Sequence, residues 1–514
     1  MWQALAVIGF AILLVMGPQA GPAAERDGAT LVVAIQETVI TLDPAMYRHR
    51  VTETALRNMF DGLVTRRQDG TIVPEIAESY RQVNPTTWEF KIRRGITFHN
   101  GEALDADSVK FTFDRILTEG FIDGKTSPRK SLLPRVQSVD RLDDFTVRFV
   151  LAEPAAPAAF LAGLVHNQIV PRGYLTRVGN RAFAEGPVGA GPFKFVEGRL
   201  DERIVMERYD AYYGGSPEIP PVGPPRLKRV LLRVMPELAT RVAALKAGEV
   251  HLIQGVRPDL VAQLQADPNL QVRPFSGTNV IHWALNVKRA PFDKLAVRRA
   301  LNHAVDWKLI IDKVLQGQAT SLAGVTPFFS AHVNKDIRPY GYSPEQAKKL
   351  LAEAGSAGGV AFVLDTTDEW RPIAEAIAAQ VRPVGFNATV RVWGDFGSLQ
   401  QAALKGERQT VVQIWGNAYR HPIDHMQPIL MSGGRGNYAQ YSNARVDELI
   451  RQGLAEGDPR KADQAFFRAQ EIIWEEAPLL FGFVPNDIEA ASKRVVNWTP
   501  GPDGRILLHR VNLQ

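Results

Sequence analysis

The sequence predicts an α/β protein with more than one domain. Its 514 residues exceed what one hydrophobic core usually organises, and at roughly 100–200 residues per unit they suggest two or three. Strand-like and helix-like patterns alternate along most of the chain, the mark of helices packed on sheets. The 45% hydrophobic and 22% charged fractions are those of an ordinary globular chain and exclude wholesale disorder.

Residues 1–24 carry no charged side chain. Leu5 to Met16 form an apolar stretch too short to cross a bilayer comfortably, and small residues and prolines follow from Gly17 to Ala24. This order reads as an export signal cleaved between Ala20 and Ala24, although Lys and Arg are missing ahead of the apolar stretch; an uncleaved anchor is the alternative. Leu31 to Ile35 is a short apolar strand. Trp88 to Phe98 alternates as a strand does and runs into Asn100-Gly101, a dipeptide suited to a tight turn. Asp105 then offers an N-cap to a helix carrying Val109, Phe113 and Ile116.

Five prolines between Pro217 and Pro225 force a loop or a crossing beside a hinge. Leu238, Val242 and Leu245 share a helical face that Gly248 ends, before a strand at Val250–Ile253. Ser343-Pro344-Glu345-Gln346 forms a capping box, and Gly355 supplies the left-handed stop. Ile373, Ile377 and Val381 repeat the helical spacing up to Gly385, followed by a strand at Ala388–Val392. Val411 to Trp415 is a strand. Asp458-Pro459 opens a last long helix with Phe466, Ala469 and Ile473 on its apolar face.

Composition removes several kinds of chemistry. The chain has no cysteine, which excludes disulfides, thiolate metal sites, iron–sulfur clusters, thiol nucleophiles and a lipidated anchor. A net charge of +5 is a weak field over this length, and no basic stripe marks a nucleic-acid surface. Gly124-Lys125-Thr126 lacks the upstream glycine of a phosphate loop. Gly189-Ala190-Gly191 runs into Pro192 and has Lys194 where a dinucleotide fingerprint needs glycine. No nucleophile–base set assembles into a hydrolase, so catalysis is not expected. His421, Asp424 and His425 have a metal-like spacing, but no third ligand is evident beside them. Neither a metal site nor a cofactor is expected.

The aromatic residues say more. The strand ending at Trp415 is followed by Gly416-Asn417-Ala418-Tyr419-Arg420-His421, and ligands of open α/β sheets sit beyond the carboxyl ends of strands. Trp415, Asn417, Tyr419, Arg420 and His421 are therefore candidate contacts for an organic ligand with polar groups. His282 and Trp283 face opposite sides of a strand, so at most one of them lines a cleft. His282 and Arg371 join Arg420 and His421 as candidate partners for carboxylates.

Pro74 to Tyr80, Trp88 to Glu102 and Asp107 to Phe111 together resemble the signature of the family 5 extracytoplasmic solute-binding proteins. Further stretches are similar in order and spacing: Gly191 to Phe195 with Arg208 to Gly215, Ala243 to Val250, Ala284 to Asp306, and Tyr342 to Gly355. The resemblance covers the whole mature chain. It implies a two-lobed periplasmic-binding-protein fold with an extra α/β domain on the first lobe. The first lobe would be discontinuous (25–70, 188–276 and 488–514), the extra domain 71–187 and the second lobe 277–487, with crossings near Thr278–Asn286 and Phe483–Glu489.

The resemblance also implies a function. The chain would be a periplasmic, monomeric receptor that captures a peptide-like or related small organic solute. It would deliver that solute to the permease subunits and ATPases of an inner-membrane ABC importer. A metal chelate such as a nickel complex is the alternative cargo. One departure matters here. Peptide-binding relatives carry an aspartate three residues after the position of Trp415, where it pairs with the peptide's α-amine, and this chain has Ala418. An unpaired buried ammonium costs several kcal/mol. The expected ligand is therefore a blocked peptide, an opine-like or other anionic metabolite, or a chelate. Asp424 is the nearest carboxylate that could substitute.

Overall fold

The computed structural model describes residues 30–133, 135–417, 419–501 and 504–514. The export signal and Ala418 lie outside the described residues.

The architecture is mixed α/β and two-lobed. A continuous sheet path starts at an edge strand Phe386–Trp393 and passes through Val360–Thr367, Thr410–Gly416, Asn279–Leu285 and Leu479–Ser492. It continues through Leu252–Ile253, Thr30–Ile35, Arg229–Val234, Arg203–Arg208 and Phe193–Arg199. The strand Leu479–Ser492 joins the two halves. Its first residues pair with Asn279–Leu285 (Leu479 opposite Ala284), and its last pair with Leu270–Ser276 (Ser492 opposite Leu270). The strands Leu270–Ser276 and Leu479–Ser492 thus run side by side as an antiparallel pair up to Gly277 and Pro485. Gly277 donates its N–H to the Pro485 carbonyl at 3.0 Å. A Cβ on Gly277 would stand 2.5 Å from that oxygen, so only glycine permits this approach.

Helices cover the sheet as their sequence signals require. Ala106–Leu117 begins at Asp105, whose carboxylate accepts from the Ser108 N–H. Pro344–Glu353 begins at Ser343, whose hydroxyl accepts from the Gln346 N–H at 3.2 Å. The reciprocal half of that capping box is taken elsewhere, because the Ser343 N–H donates to the His303 carbonyl. Leu238–Ala247 stops at Gly248 with φ 74°, the left-handed conformation that ends a helix cheaply in glycine. The proline-rich stretch is a loop joining two neighbouring strands, Arg203–Arg208 and Arg229–Val234, away from the crossings.

A separate four-stranded antiparallel layer runs Ala77–Asn84, Thr87–Ile92, Thr146–Leu151, Val136–Asp143. The predicted strand ends at Ile92, so its last residues, up to Phe98, form turns rather than sheet. Trp88, Phe90 and Ile92 alternate inward and meet Val147, Phe149 and Leu151, the period of 2 that a half-buried sheet imposes. Its core continues into Phe113 and Phe160. A second core draws on Leu31 to Phe60 together with Phe193, Leu232 and Trp498, and a third spans Ile281 to Phe483. Gly189 and Gly191 lie against Met59 and Phe60, where a Cβ on Gly189 would come within 2.1 Å of the Met59 carbonyl. They are packing glycines.

Candidate functional site

A cavity of about 410 Å³ lies beside the small apolar cluster of Leu132, Ala162 and Tyr419. The helix Arg50–Leu56 and the residues before it contribute Arg48, His49, Arg50 and Glu53. The turn Pro128–Leu132 gives Arg129 and Leu132, and the segment after the helix Pro157–Leu164 gives His166. The facing wall carries Thr278, Asn279, Ile414, Trp415, Gly416, Tyr419, Asp424 and Arg435, and Arg505 completes the lining. Five arginines and two carboxylates therefore share one space.

The strand Thr410–Gly416 ends at this cavity and delivers Trp415 to it, as expected of a site beyond a strand's carboxyl end. The Trp415 indole N–H donates to the Asp424 carbonyl, and the Arg435 guanidinium lies 4.6 Å over the Trp415 ring, within cation–π range. The Tyr419 N–H donates to the Asp424 carboxylate at 2.5 Å, and its hydroxyl donates to the Leu132 carbonyl at 2.9 Å, across the cavity. Burial pushes the Asp424 carboxyl up to about 7, against the opposing pull of that N–H and of Arg48, Arg66 and Arg435.

Glu53 has a different environment. His166 Nδ1 lies 2.9 Å from its carboxylate, Arg505 3.0 Å and Arg129 3.7 Å. Burial alone would raise Glu53, but these partners hold it well below the usual carboxylate range. Burial keeps His166 neutral in spite of Glu53. Arg129 is buried with its guanidinium 3.8 Å over the Tyr47 ring. Arg50 bonds Asp487 at 2.6 Å and the Thr278 hydroxyl at 2.9 Å, which fixes the start of its helix to the segments around Gly277 and Pro485.

Of the seven residues singled out from the sequence, the cavity brings together Trp415 and Tyr419. Asn417 is buried behind the loop. Its N–H donates to the Thr278 carbonyl at 2.8 Å and its side chain accepts from the His421 N–H, so it shapes the loop from beneath. His421 caps the helix Pro422–Leu430 through Nδ1 and packs edge-on to His332 and Phe466. The Arg420 guanidinium lies 5.4 Å from the Phe329 ring. His282 is fully buried, where Nδ1 accepts from the Gly482 N–H, and Trp283 is buried on the opposite side against Trp307. Arg371 is half-exposed and paired with Asp368. The reason is geometric: a five-residue loop that turns into a capped helix cannot aim every polar side chain one way. Glu53, Arg129, His166 and Arg505 were not visible as site residues, because folding alone brings them together. The basic run Arg48-His49-Arg50 was the one local signal available.

Residues 71–437 match the family model described as bacterial extracellular solute-binding proteins, family 5 Middle. Heme-binding protein A of Haemophilus influenzae is 28% identical, the alignment covering 92% of this chain and 90% of the relative. The dipeptide-binding protein of Escherichia coli is 26% identical over 96% of each. Among solved structures, the ABC transporter-associated periplasmic binding protein DppA from Helicobacter pylori in complex with the peptide STSA superposes with a TM-score of 0.75. It shares 26% identity, over 94% of this chain and 98% of that one. HbpA2 from Haemophilus parasuis reaches a TM-score of 0.85 at 24% identity, covering 94% of this chain and 100% of that one. With a two-lobed fold, a cavity between the lobes and a family match over most of its length, the chain belongs to the bacterial extracellular solute-binding proteins, family 5.

Proposed function

We propose that this protein is an exported receptor for a carboxylate-bearing, peptide-like solute, which it hands to the permease subunits of an ABC importer. The observation that carries the ligand class is the charge balance of the cavity. Asp487 matches Arg50 and Glu53 matches Arg505. Arg129, 3.7 Å from Glu53, shares that carboxylate with Arg505, and Arg48 and Arg435 face one further carboxylate, Asp424, which burial brings to about 7, so the guanidinium groups remain in surplus. A low-dielectric space with surplus guanidinium groups favours an anion, most of all a planar carboxylate that accepts two parallel N–H bonds. Trp415 and Tyr419 supply the apolar faces.

A free α-amine is not required in this reading, because the sequence has Ala418 at the position where the resemblance to peptide-binding relatives implies an aspartate. A chelate presenting carboxylates would suit the same arginines. Among the described residues, no group of three or more His, Asp or Glu side chains is placed to hold a bare metal ion. The relatives named for heme and for dipeptides support the breadth of this class. The division into a first lobe of 25–70, 188–276 and 488–514, an extra domain of 71–187 and a second lobe of 277–487 is part of the proposal, as are cleavage between Ala20 and Ala24 and a monomeric state. The division is supported by the three largest cores, each drawn mainly from one of these units.

Isothermal titration with pools of di- to pentapeptides tests the reading. Saturable binding should survive N-acetylation and be lost when the C-terminal carboxylate is converted to an amide. Micromolar binding abolished by N-acetylation would overturn it.

A further inference from the structure

His166 is almost wholly buried, lines the cavity, and stacks on Tyr419 with ring centroids 5.9 Å apart at 22°. Its Nδ1 lies 2.9 Å from the Glu53 carboxylate. That carboxylate also faces Arg505 at 3.0 Å and Arg129 at 3.7 Å, so it is ionised and can only accept. Nδ1 must therefore carry a ring proton, and because burial with Arg505 and Arg129 nearby disfavours a second one, Nε2 is left as an acceptor. Among the described residues Nε2 has no hydrogen-bond partner, and the Arg129 guanidinium, although ion-paired with Glu53 at 3.7 Å, makes no hydrogen bond through Nε or through the nitrogen that faces Glu53. A buried acceptor with no donor, beside a buried guanidinium whose hydrogen-bonding capacity is only partly used, is costly unless something in the cavity completes them.

We propose that His166 Nε2 and Arg129 together form a subsite for a carboxylate with a neighbouring N–H donor. The C-terminal residue of a peptide-like ligand has both groups: its carboxylate meets Arg129, and its amide N–H donates to Nε2. Glu53 is the positioning residue, since its charge fixes the tautomer. A simple fatty or dicarboxylic acid has the anion without the donor and leaves Nε2 unsatisfied. This inference rests on the carboxylate-bearing reading above and narrows it.

The test uses two pools of N-acetyl tripeptides with matched side chains, one with the normal C-terminal amide bond and one with an ester oxygen replacing that N–H. Titrations with the full-length mature protein should show the amide pool binding about tenfold more tightly, the effect of one unsatisfied buried acceptor. His166→Phe keeps the stack on Tyr419 and should bring the ratio close to one. Imidazole nitrogen resonances of histidine-labelled wild-type protein provide a readout independent of any variant's folding. His166 should show a protonated Nδ1 and a bare Nε2 that shifts when the amide pool is added. Equal affinity for both pools, or a protonated Nε2 in the free protein, overturns this inference and leaves the carboxylate reading standing. Failure of every pool to bind overturns both.

Discussion

Asp424 shows how one side chain sets the working range of the cavity. Its carboxyl is pushed up to about 7 by burial, while Arg48, Arg66 and Arg435 pull the other way. Below that pH it is neutral and the arginine surplus is largest; above it, the new negative charge opposes an anionic ligand. Affinity for N-acetyl peptides should therefore fall between pH 6 and pH 8, and Asp424→Asn should flatten the profile. A titration series across that range checks both, and an unchanged wild-type affinity would contradict the account. Local sequence did little to reveal this residue. Its position four after Arg420 is readable, but its burial beneath Trp415 and Tyr419 depends on how the loop folds back on the helix start.

Elements answer to local signals that can be tested one at a time. Ser343 caps its helix with a single accepted hydrogen bond, so Ser343→Ala should cost about 1 kcal/mol in chemical denaturation. Gly277→Ala should cost more, roughly 1–3 kcal/mol, because the new Cβ meets the Pro485 carbonyl at 2.5 Å where the two crossing strands are paired. Buried histidines give the fold an acid limit. Burial depresses His282 and His425 to about 3 from an ordinary value of 6.5. The unfolded chain then binds more protons than the folded one between those values. Stability held above pH 6.5 is lost as pH falls toward 3, and Glu53, also depressed, adds to the loss. Calorimetry should show Tm dropping steadily from pH 7 to pH 4.5. The caps, stops and strand periods behind these elements were legible because each depends on a few neighbouring residues. The capping box at Ser343 was only half right, since a distant carbonyl, that of His303, took the backbone donor.

At the scale of the molecule, Gly277–Thr278 and Pro485 lie on one antiparallel pair, and hydrogen bonds tie the segments 128–156 to the segments 419–454. The Tyr419 hydroxyl reaches the Leu132 carbonyl, and the Ala156 N–H reaches the Leu454 carbonyl at 3.1 Å. A ligand bound by both walls shifts the molecule toward this closed arrangement to the extent that it prefers it. Small-angle scattering should record a smaller radius of gyration when a binding peptide pool is added. Tyr419→Phe removes one hydrogen bond worth about 0.5–1.5 kcal/mol, so it should weaken binding roughly two- to tenfold. An unchanged affinity would show that this contact does not couple to the ligand.

The sequence by itself determined the α/β class, the helix starts at Asp105 and Ser343, the strand that ends at Trp415, and the exclusion of thiol chemistry. Each of these follows from composition or from short-range periodicity. Tertiary structure alone decided the wall of the candidate cavity. Glu53, Arg129, His166 and Arg505 come from four separate stretches of chain, and no spacing rule links them. Their charges are set by mutual burial, a property of the packed molecule rather than of any segment. The same reason took His282, His421 and Arg371 out of the cavity: chemistry named them as ligand partners, and packing turned them to other tasks.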